Sequence, residues 1–225
     1  MHGEKKHFRY MAKNTAWHDD YWLLLMQAYL TKPVGLKPVY SRIMVDLSLE
    51  LHITPQALGK RMKQIAQLST PRIERIWKTY SSNPKRLERA VGLLRSMKGF
   101  GQESEFYEGV ETVETFERDF RPLQEEPCLM PVMLIIILDL YFQLTPATMV
   151  EQTPEVKKTA KLLDIKPETV VQVLDVFQIC DPYLQRSEIT LSPLLAPCQN
   201  VWQRMADKEP EQINDIAMEY AQYFS

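Results

Sequence analysis

Residues 47–58 have the sequence LSLELHITPQAL. Apolar residues at helical spacing lead up to His52, and a second helical pattern starts at Pro55. Thr54 is a favourable N-cap, and proline is favourable as the first residue of a helix. The stretch therefore predicts two helices that are joined by a three-residue turn.

The same pattern occurs again 112 residues later in the chain. Residues 159–170 have the sequence TAKLLDIKPETV, and the whole of residues 21–68 aligns with residues 133–180 without a gap. Few residues are identical, but apolar positions coincide with apolar positions. Because two copies of one core need the same apolar positions, this agreement predicts an internally duplicated protein.

Composition and the placement of proline indicate an all-α fold. The chain has 225 residues with 15 prolines and only 7 glycines, and most of the prolines open apolar stretches. Proline suits the first turn of a helix, whereas a turn-rich β protein needs more glycine. We predict internally duplicated multi-helix domains over residues 1–100 and 127–225, each with one such helix pair. An acidic linker over residues 101–126, either a short amphipathic helix or a loop, joins them.

The periodicity also predicts the helices of each domain. In the first copy they cover residues 19–30, 40–51 and 55–68, and two further helices start at Thr70-Pro71 and Asn83-Pro84. In the second copy the predicted helices cover residues 131–144, 154–163 and 167–180, with a later one after Glu209-Pro210.

Charge divides the chain into two unlike halves. Residues 1–100 hold 18 Lys and Arg against 7 Asp and Glu, whereas residues 101–225 hold 9 against 22. Residues 56–98 alone hold 11 basic residues and only two acidic ones, Glu74 and Glu88. Such asymmetry favours a polyanionic partner, although a solvated basic surface that is balanced by an acidic one gives the same counts.

The helix pair at residues 47–58 resembles the helix-turn-helix of bacterial DNA-binding proteins. Small Ser48 lies where the two helices would cross, and Leu58 and Met62 form the inner face of the second helix. The usual glycine of the turn is His52 here and Asp164 in the second copy, and both residue types tolerate left-handed backbone. The β-hairpin of a winged helix does not fit before Thr70, so the all-helical variant is the closer resemblance.

The resemblance implies that the second helix enters the major groove of DNA, with nearby positive charge on the phosphates. Helical spacing points Leu58, Met62 and Ile65 inward. It leaves outward the candidate DNA-contacting residues Gln56, Gly59, Lys60, Lys63 and Gln67. Gln56 would contact a base, Lys60 and Lys63 would contact bases or phosphates, and Gly59 would allow a close backbone approach. The candidate phosphate contacts are Arg61, Arg72, Arg75 and Lys78.

The second copy lacks this chemistry. Its matching positions hold Glu168, Val171, Gln172 and Asp175. Carboxylates would be repelled by phosphates, so we expect only the first copy to bind nucleic acid. We expect the second copy to pack against the first copy or against another subunit through Val171, Val173, Val176 and Phe177.

The sequence offers no constellation that is typical of an enzyme or of a cofactor site. There is no phosphate-binding glycine loop or nucleophile elbow. The four histidines are scattered and the three cysteines lack metal-ligand spacing, so we predict no metal site. The most apolar stretch, residues 129–144, is too short to span a membrane and contains Asp139, which favours a buried helix. No secretion signal is apparent, so a cytoplasmic location is expected.

Together these patterns predict a cytoplasmic DNA-binding protein, a transcriptional regulator whose partner is duplex DNA. It would act as a homodimer or as an intramolecular pseudo-dimer of its two helix pairs. The alternative is a helical protein–protein interaction module that binds an acidic partner and no nucleic acid.

Overall fold

The computed structural model describes residues 17–98, 100, 115–184 and 192–225. Within these ranges the chain forms eleven α-helices and one short 3₁₀ helix, Pro146–Thr148, and no β-strand. The prediction of an all-α fold is confirmed. Residues 101–114 of the predicted linker lie outside the described residues.

The first half of the chain contains five helices. They are α1 Tyr21–Leu30, α2 Arg42–Leu51, α3 Pro55–Ala66, α4 Pro71–Tyr80 and α5 Pro84–Arg95. Proline opens the last three, and the side chains of Thr54, Thr70 and Asn83 each accept a hydrogen bond from a backbone N–H three residues later. The first backbone N–H groups of a helix have no partner within the helix. Proline has no N–H to satisfy, and the cap side chain accepts a hydrogen bond from one of the others, so these helices begin where the sequence predicts.

The second half contains six helices. They are α6 Thr115–Asp119, α7 Pro131–Gln143, α8 Pro154–Leu163, α9 Pro167–Cys180, α10 Leu195–Met205 and α11 Pro210–Ala221. The starts of α8 and α9 lie 112 residues after those of α2 and α3, and α11 starts 126 residues after α5. The two helix pairs thus have the same spacing, while a duplication of the whole half stays a prediction.

One apolar helix lies at the centre of each half. Helix α1 contacts α2, α3, α4 and α5, and α7 contacts α8, α9, α10 and α11. Nine of the 13 residues of α7 are buried. A helix that is apolar on all sides belongs in a core or in a membrane. No helix in the described part of the chain is long and apolar enough to cross a membrane, and the helices around α7 cover its apolar surface.

The core of the second half extends into the first half. Tyr40 and Val45, at the start of α2, are buried among residues of the second half. Phe120, which follows α6, is buried in the same cluster. The expectation that Val171, Val173, Val176 and Phe177 pack against the first copy or another subunit was wrong for three of them. Val173, Val176 and Phe177 are buried on α9, which packs on α7, α8 and α10 of the second half, and Val171 is half-buried against the same cluster.

Candidate nucleic-acid interface

The turn between α2 and α3 has the backbone that the helix pair requires. His52 adopts the left-handed region with φ 53° and ψ 36°, and Asp164 does the same between α8 and α9 with φ 55°. The N–H of Ile53 donates to the carbonyl of Ser48 at 3.1 Å, and that of Ile165 donates to Ala160 at 3.0 Å. The two turns are therefore alike, and the prediction that both tolerate left-handed backbone is confirmed.

Ser48, which is predicted to lie where the two helices of the first pair cross, is fully buried. Its hydroxyl donates to the carbonyl of Met44 in its own helix at 2.7 Å. Leu58, Met62 and Ile65 form the buried side of α3, as the spacing predicts. Lys60, Lys63 and Gln67 are exposed on the other sides of the helix. Helix α3 therefore presents two lysines to the solvent.

The chain itself covers part of the outer side of α3. The backbone N–H of Lys37 donates to Met62 Sδ at 3.4 Å. A Cβ atom added to Gly59 would lie 3.5 Å from Val39 Cγ2, and Gln56 Nε2 donates to the hydroxyl of Tyr40. The space beside Gly59 is thus occupied by Val39 of the chain itself. Gln56 remains exposed, but its amide already has a partner in the protein.

Arg61 is oriented towards the aromatic residues at the start of the chain's described part. Its guanidinium carbon lies 4.9 Å from the ring centre of Trp17 and 5.7 Å from that of Trp22. Its Nη1 also lies 3.5 Å from Gln64 Oε1. Cation–π contacts of this kind hold a guanidinium in place. Arg61 is therefore half-buried on its own rings, away from Lys60 and Lys63.

The three candidate residues of α4 differ in their partners. Arg72 forms ion pairs with Asp19 at 3.1 Å and with Asp20 at 3.9 Å. Arg75 Nε donates to the carbonyl of Pro71 at 3.3 Å. Lys78 is exposed. Among the described residues no ion-pair partner is found for Lys78, Lys60 or Lys63, so their charges face solvent.

Helix α5 adds basic residues that the sequence analysis did not place in the site. Lys85, Arg86 and Arg89 are exposed, and the Arg86 guanidinium lies 5.6 Å from the ring centre of Tyr80. Arg95 instead donates two hydrogen bonds to Glu50 of α2, at 2.6 and 2.7 Å, which raise the pKa of Arg95. The basic residues after Asn83-Pro84 were visible in the sequence. The spacing of residues within one helix, however, does not show which other helices that helix contacts.

The first residues of α3 lie at the junction of the two halves. Tyr40, which accepts the hydrogen bond from Gln56, packs edge-on against Tyr220 of α11 with ring centres 4.8 Å apart. Phe120 stacks on Tyr40 with ring centres 6.2 Å apart and also lies 5.9 Å from the Tyr220 ring. Burial raises the pKa of Tyr40, and the carboxylates of Glu219 and Asp119 act in the same direction. Burial also raises the pKa of Tyr220. Both phenols therefore stay protonated at neutral pH.

Helix α6 makes further polar contacts at this junction. Asp119 of α6 is buried and accepts two hydrogen bonds from Arg204 of α10, both at 2.7 Å. Glu117 Oε1 lies 2.9 Å from His52 Nδ1, and the other oxygen of Glu117 accepts from Arg121 at 3.0 Å. The turn of the first helix pair is thus attached to α6. Sequence analysis missed this junction because its members are far apart in the chain.

The positions of the second pair that match the candidate DNA contacts carry no positive charge. Glu168, Gln172 and Asp175 are exposed on α9, and Val171 is half-buried. Asp175 accepts a hydrogen bond from Gln178 at 3.1 Å. The two helix pairs therefore share a backbone arrangement and differ in the charge of their outer sides.

These features define an all-helical protein with two helix pairs, each joined by a left-handed turn, of which one carries a basic surface. No known protein family, no curated protein and no solved structure matches the chain. The resemblance to helix-turn-helix proteins stays a prediction, and the function is inferred from the residues themselves.

Proposed function

We propose that the first half of the chain binds duplex DNA through α3 and α4, and that the protein is a DNA-binding regulator. The observation that carries this proposal is the exposure of Lys60 and Lys63 on the outer side of α3, the second helix of a pair with a left-handed turn. Within the described part of the chain neither lysine has a carboxylate partner, so each can neutralise a phosphate without first breaking an ion pair there.

The eight candidate residues differ in how freely they could contact DNA, and this difference assigns their roles in the proposal. Lys60, Lys63 and Lys78 are exposed and supply the main phosphate contacts. Arg72 and Arg75 lie on α4 and would add phosphate contacts there, although Arg72 must exchange Asp19 for a phosphate. Arg61 has its role in packing on the tryptophan rings. Val39 lies beside Gly59, and the exposed Gln56 would have to exchange its hydrogen bond to Tyr40 for one to a base. Phosphate contacts therefore dominate binding, and base contacts contribute less.

A salt series tests the proposal on the full-length chain. If Lys60, Lys63 and Lys78 each neutralise one phosphate, the logarithm of the binding constant for duplex DNA falls with the logarithm of salt with a slope of about −2.7. Replacing two of them, in the variant K60Q/K63Q, reduces that slope to about −0.9. Fluorescence anisotropy with labelled mixed-sequence duplex measures both slopes.

The second half of the chain provides a matched control. Lys157 and Lys158 are exposed on α8, so the variant K157Q/K158Q removes the same amount of charge from the other half. It should leave affinity and slope unchanged. Absence of binding at low salt, or an equal loss in both variants, would refute the proposal and favour a protein partner instead.

A further inference from the structure

Helix α5 carries a stripe of exposed side chains that combines positive charge with large apolar groups. Arg86, Arg89 and Leu93 follow one another at helical spacing, and Met97 extends the line just beyond the helix. Leu93 is 67% exposed and Met97 is 60% exposed. We call these four residues the α5 stripe, which is about 16 Å long at the rise of a helix.

The α5 stripe is distinct from the surface by which α5 joins its own core. Leu87, Val91 and Leu94 bury the other side of the helix. The stripe continues at Tyr80, which lies beneath the Arg86 guanidinium, into a shallow groove along the joint of α4 and α5. Covering Leu93 and Met97 with a partner would remove apolar surface from water, which would favour binding beside the two arginines.

We propose that the α5 stripe docks an acidic, amphipathic segment of a partner protein. The carboxylates of this segment would pair with Arg86 and Arg89. Each guanidinium group can donate two parallel hydrogen bonds to one carboxylate. Its apolar side chains would cover Leu93 and Met97, and the flexible thioether of methionine adapts to varied partners. An amphipathic helix recognised in a groove uses this combination of contacts.

The apolar members of the stripe favour a peptide over nucleic acid. Phosphates would pair with Arg86 and Arg89 but would leave Leu93 and Met97 beside a hydrated, charged backbone. An acidic amphipathic peptide matches both kinds of side chain. This inference uses none of the three lysines assigned to DNA binding, so it stands or falls independently of the proposed function.

The probe is a fluorescein-labelled synthetic peptide of about 16 residues, with leucine at every third or fourth position and glutamate elsewhere; as a helix it spans about 24 Å. A peptide of the same composition with its leucines grouped at one end is the control. Anisotropy with the full-length chain should show binding of the first peptide only. The variants L93S/M97S and R86Q/R89Q should each weaken binding at least about tenfold.

Met218 provides a matched control in the acidic half, because it is 57% exposed on α11. The variant M218S should bind the peptide as the wild type does. In a protein with ¹³C-labelled methionine methyl groups, the Met97 signal, assigned by its loss in M97S, should shift when peptide is added, and the Met218 signal should stay. The variant K60Q/K63Q should keep peptide affinity within about twofold, which separates this test from that of DNA binding.

Three results would overturn the inference. The first is that neither peptide binds, or that L93S/M97S binds as well as M218S. The second is that the peptide binds only after the five glutamates of residues 101–114 are replaced by glutamine, which would assign the stripe to the chain's own acidic segment. The third is that L93S/M97S loses affinity for duplex DNA as strongly as K60Q/K63Q, which would assign the stripe to the DNA surface.

Discussion

Replacing Asp119 by asparagine should destabilise the protein by about 3 kcal/mol, whereas replacing Glu50 by glutamine should cost about 1 kcal/mol or less. Each carboxylate accepts two hydrogen bonds from one arginine, Asp119 from Arg204 and Glu50 from Arg95, at 2.6–2.7 Å in both pairs. The two pairs therefore have the same geometry and differ in their exposure to water.

Burial determines the expected magnitudes. The side chain of Asp119 is 3% exposed and that of Arg204 is 31% exposed, whereas the values for Glu50 and Arg95 are 27% and 47%. Removing one partner of a buried pair costs about 3–5 kcal/mol, because the other charge is left without compensation. Asparagine keeps one acceptor for Arg204, which places the cost at the lower end. Water and salt screen the exposed pair, so its loss costs much less.

Urea unfolding followed by circular dichroism measures both changes. With an m-value of about 2 kcal/mol per molar urea, D119N should lower the midpoint by about 1.5 M and E50Q by about 0.5 M or less. The two variants each remove one negative charge, so a change in net charge affects them equally. The reasoning would be refuted if E50Q destabilised the chain as much as D119N, or if D119N cost under about 1 kcal/mol.

Three further outcomes follow from the packing of single residues. G59A should raise stability by about 0.5–1 kcal/mol in thermal unfolding, because alanine favours a helix and its Cβ would meet Val39 at an ordinary contact distance of 3.5 Å; a loss of stability would show that the contact does not relax. R61Q should lower stability by about 1 kcal/mol through loss of the cation–π contacts, and DNA affinity should hardly change; a loss of affinity as large as that in K60Q would return Arg61 to the DNA surface. Burial raises the pKa of Cys198 to about 12, so iodoacetamide at neutral to mildly alkaline pH should label exposed Cys128 first. Equal labelling rates for Cys198 and Cys128 would contradict this expectation. The raised pKa has a second consequence, because the unfolded chain releases the Cys198 proton at lower pH than the folded chain. The contribution of Cys198 to the free energy of unfolding should therefore fall as pH rises from about 9 towards 12.

Local signals in the sequence predicted most of the helices. Proline preceded by threonine or asparagine marked the starts of α3, α4 and α5, and the predicted spans 154–163 and 167–180 coincide with α8 and α9. Capping and proline act within one turn of the backbone, so their effect is readable from neighbouring residues. The left-handed turn at His52 was predictable for the same reason.

Contacts between distant residues were not predictable from the same patterns. Helical spacing placed Gln56 and Gly59 outward on α3, but it could not show that residues 37–40 return along that side. It assigned Arg61 to phosphate because the residue is basic, whereas Trp17 and Trp22 lie beside it only in the folded chain. Periodicity identifies the side of a helix that is buried, and the tertiary fold decides what the other sides meet.

The burial of Tyr40 and Val45 in the core of the second half has a consequence for synthesis on the ribosome. The first half can close its own core once residue 95 has emerged. Tyr40 completes its cover only when Tyr220 of α11, which ends at Ala221, has also emerged, and Val45 is covered only when the core of the second half has formed. At a translation rate of about 5–20 residues per second, the interval lasts about 6–25 s. During that time each nascent chain displays an aromatic and an aliphatic side chain that chaperones bind and that neighbouring chains on a polysome can reach.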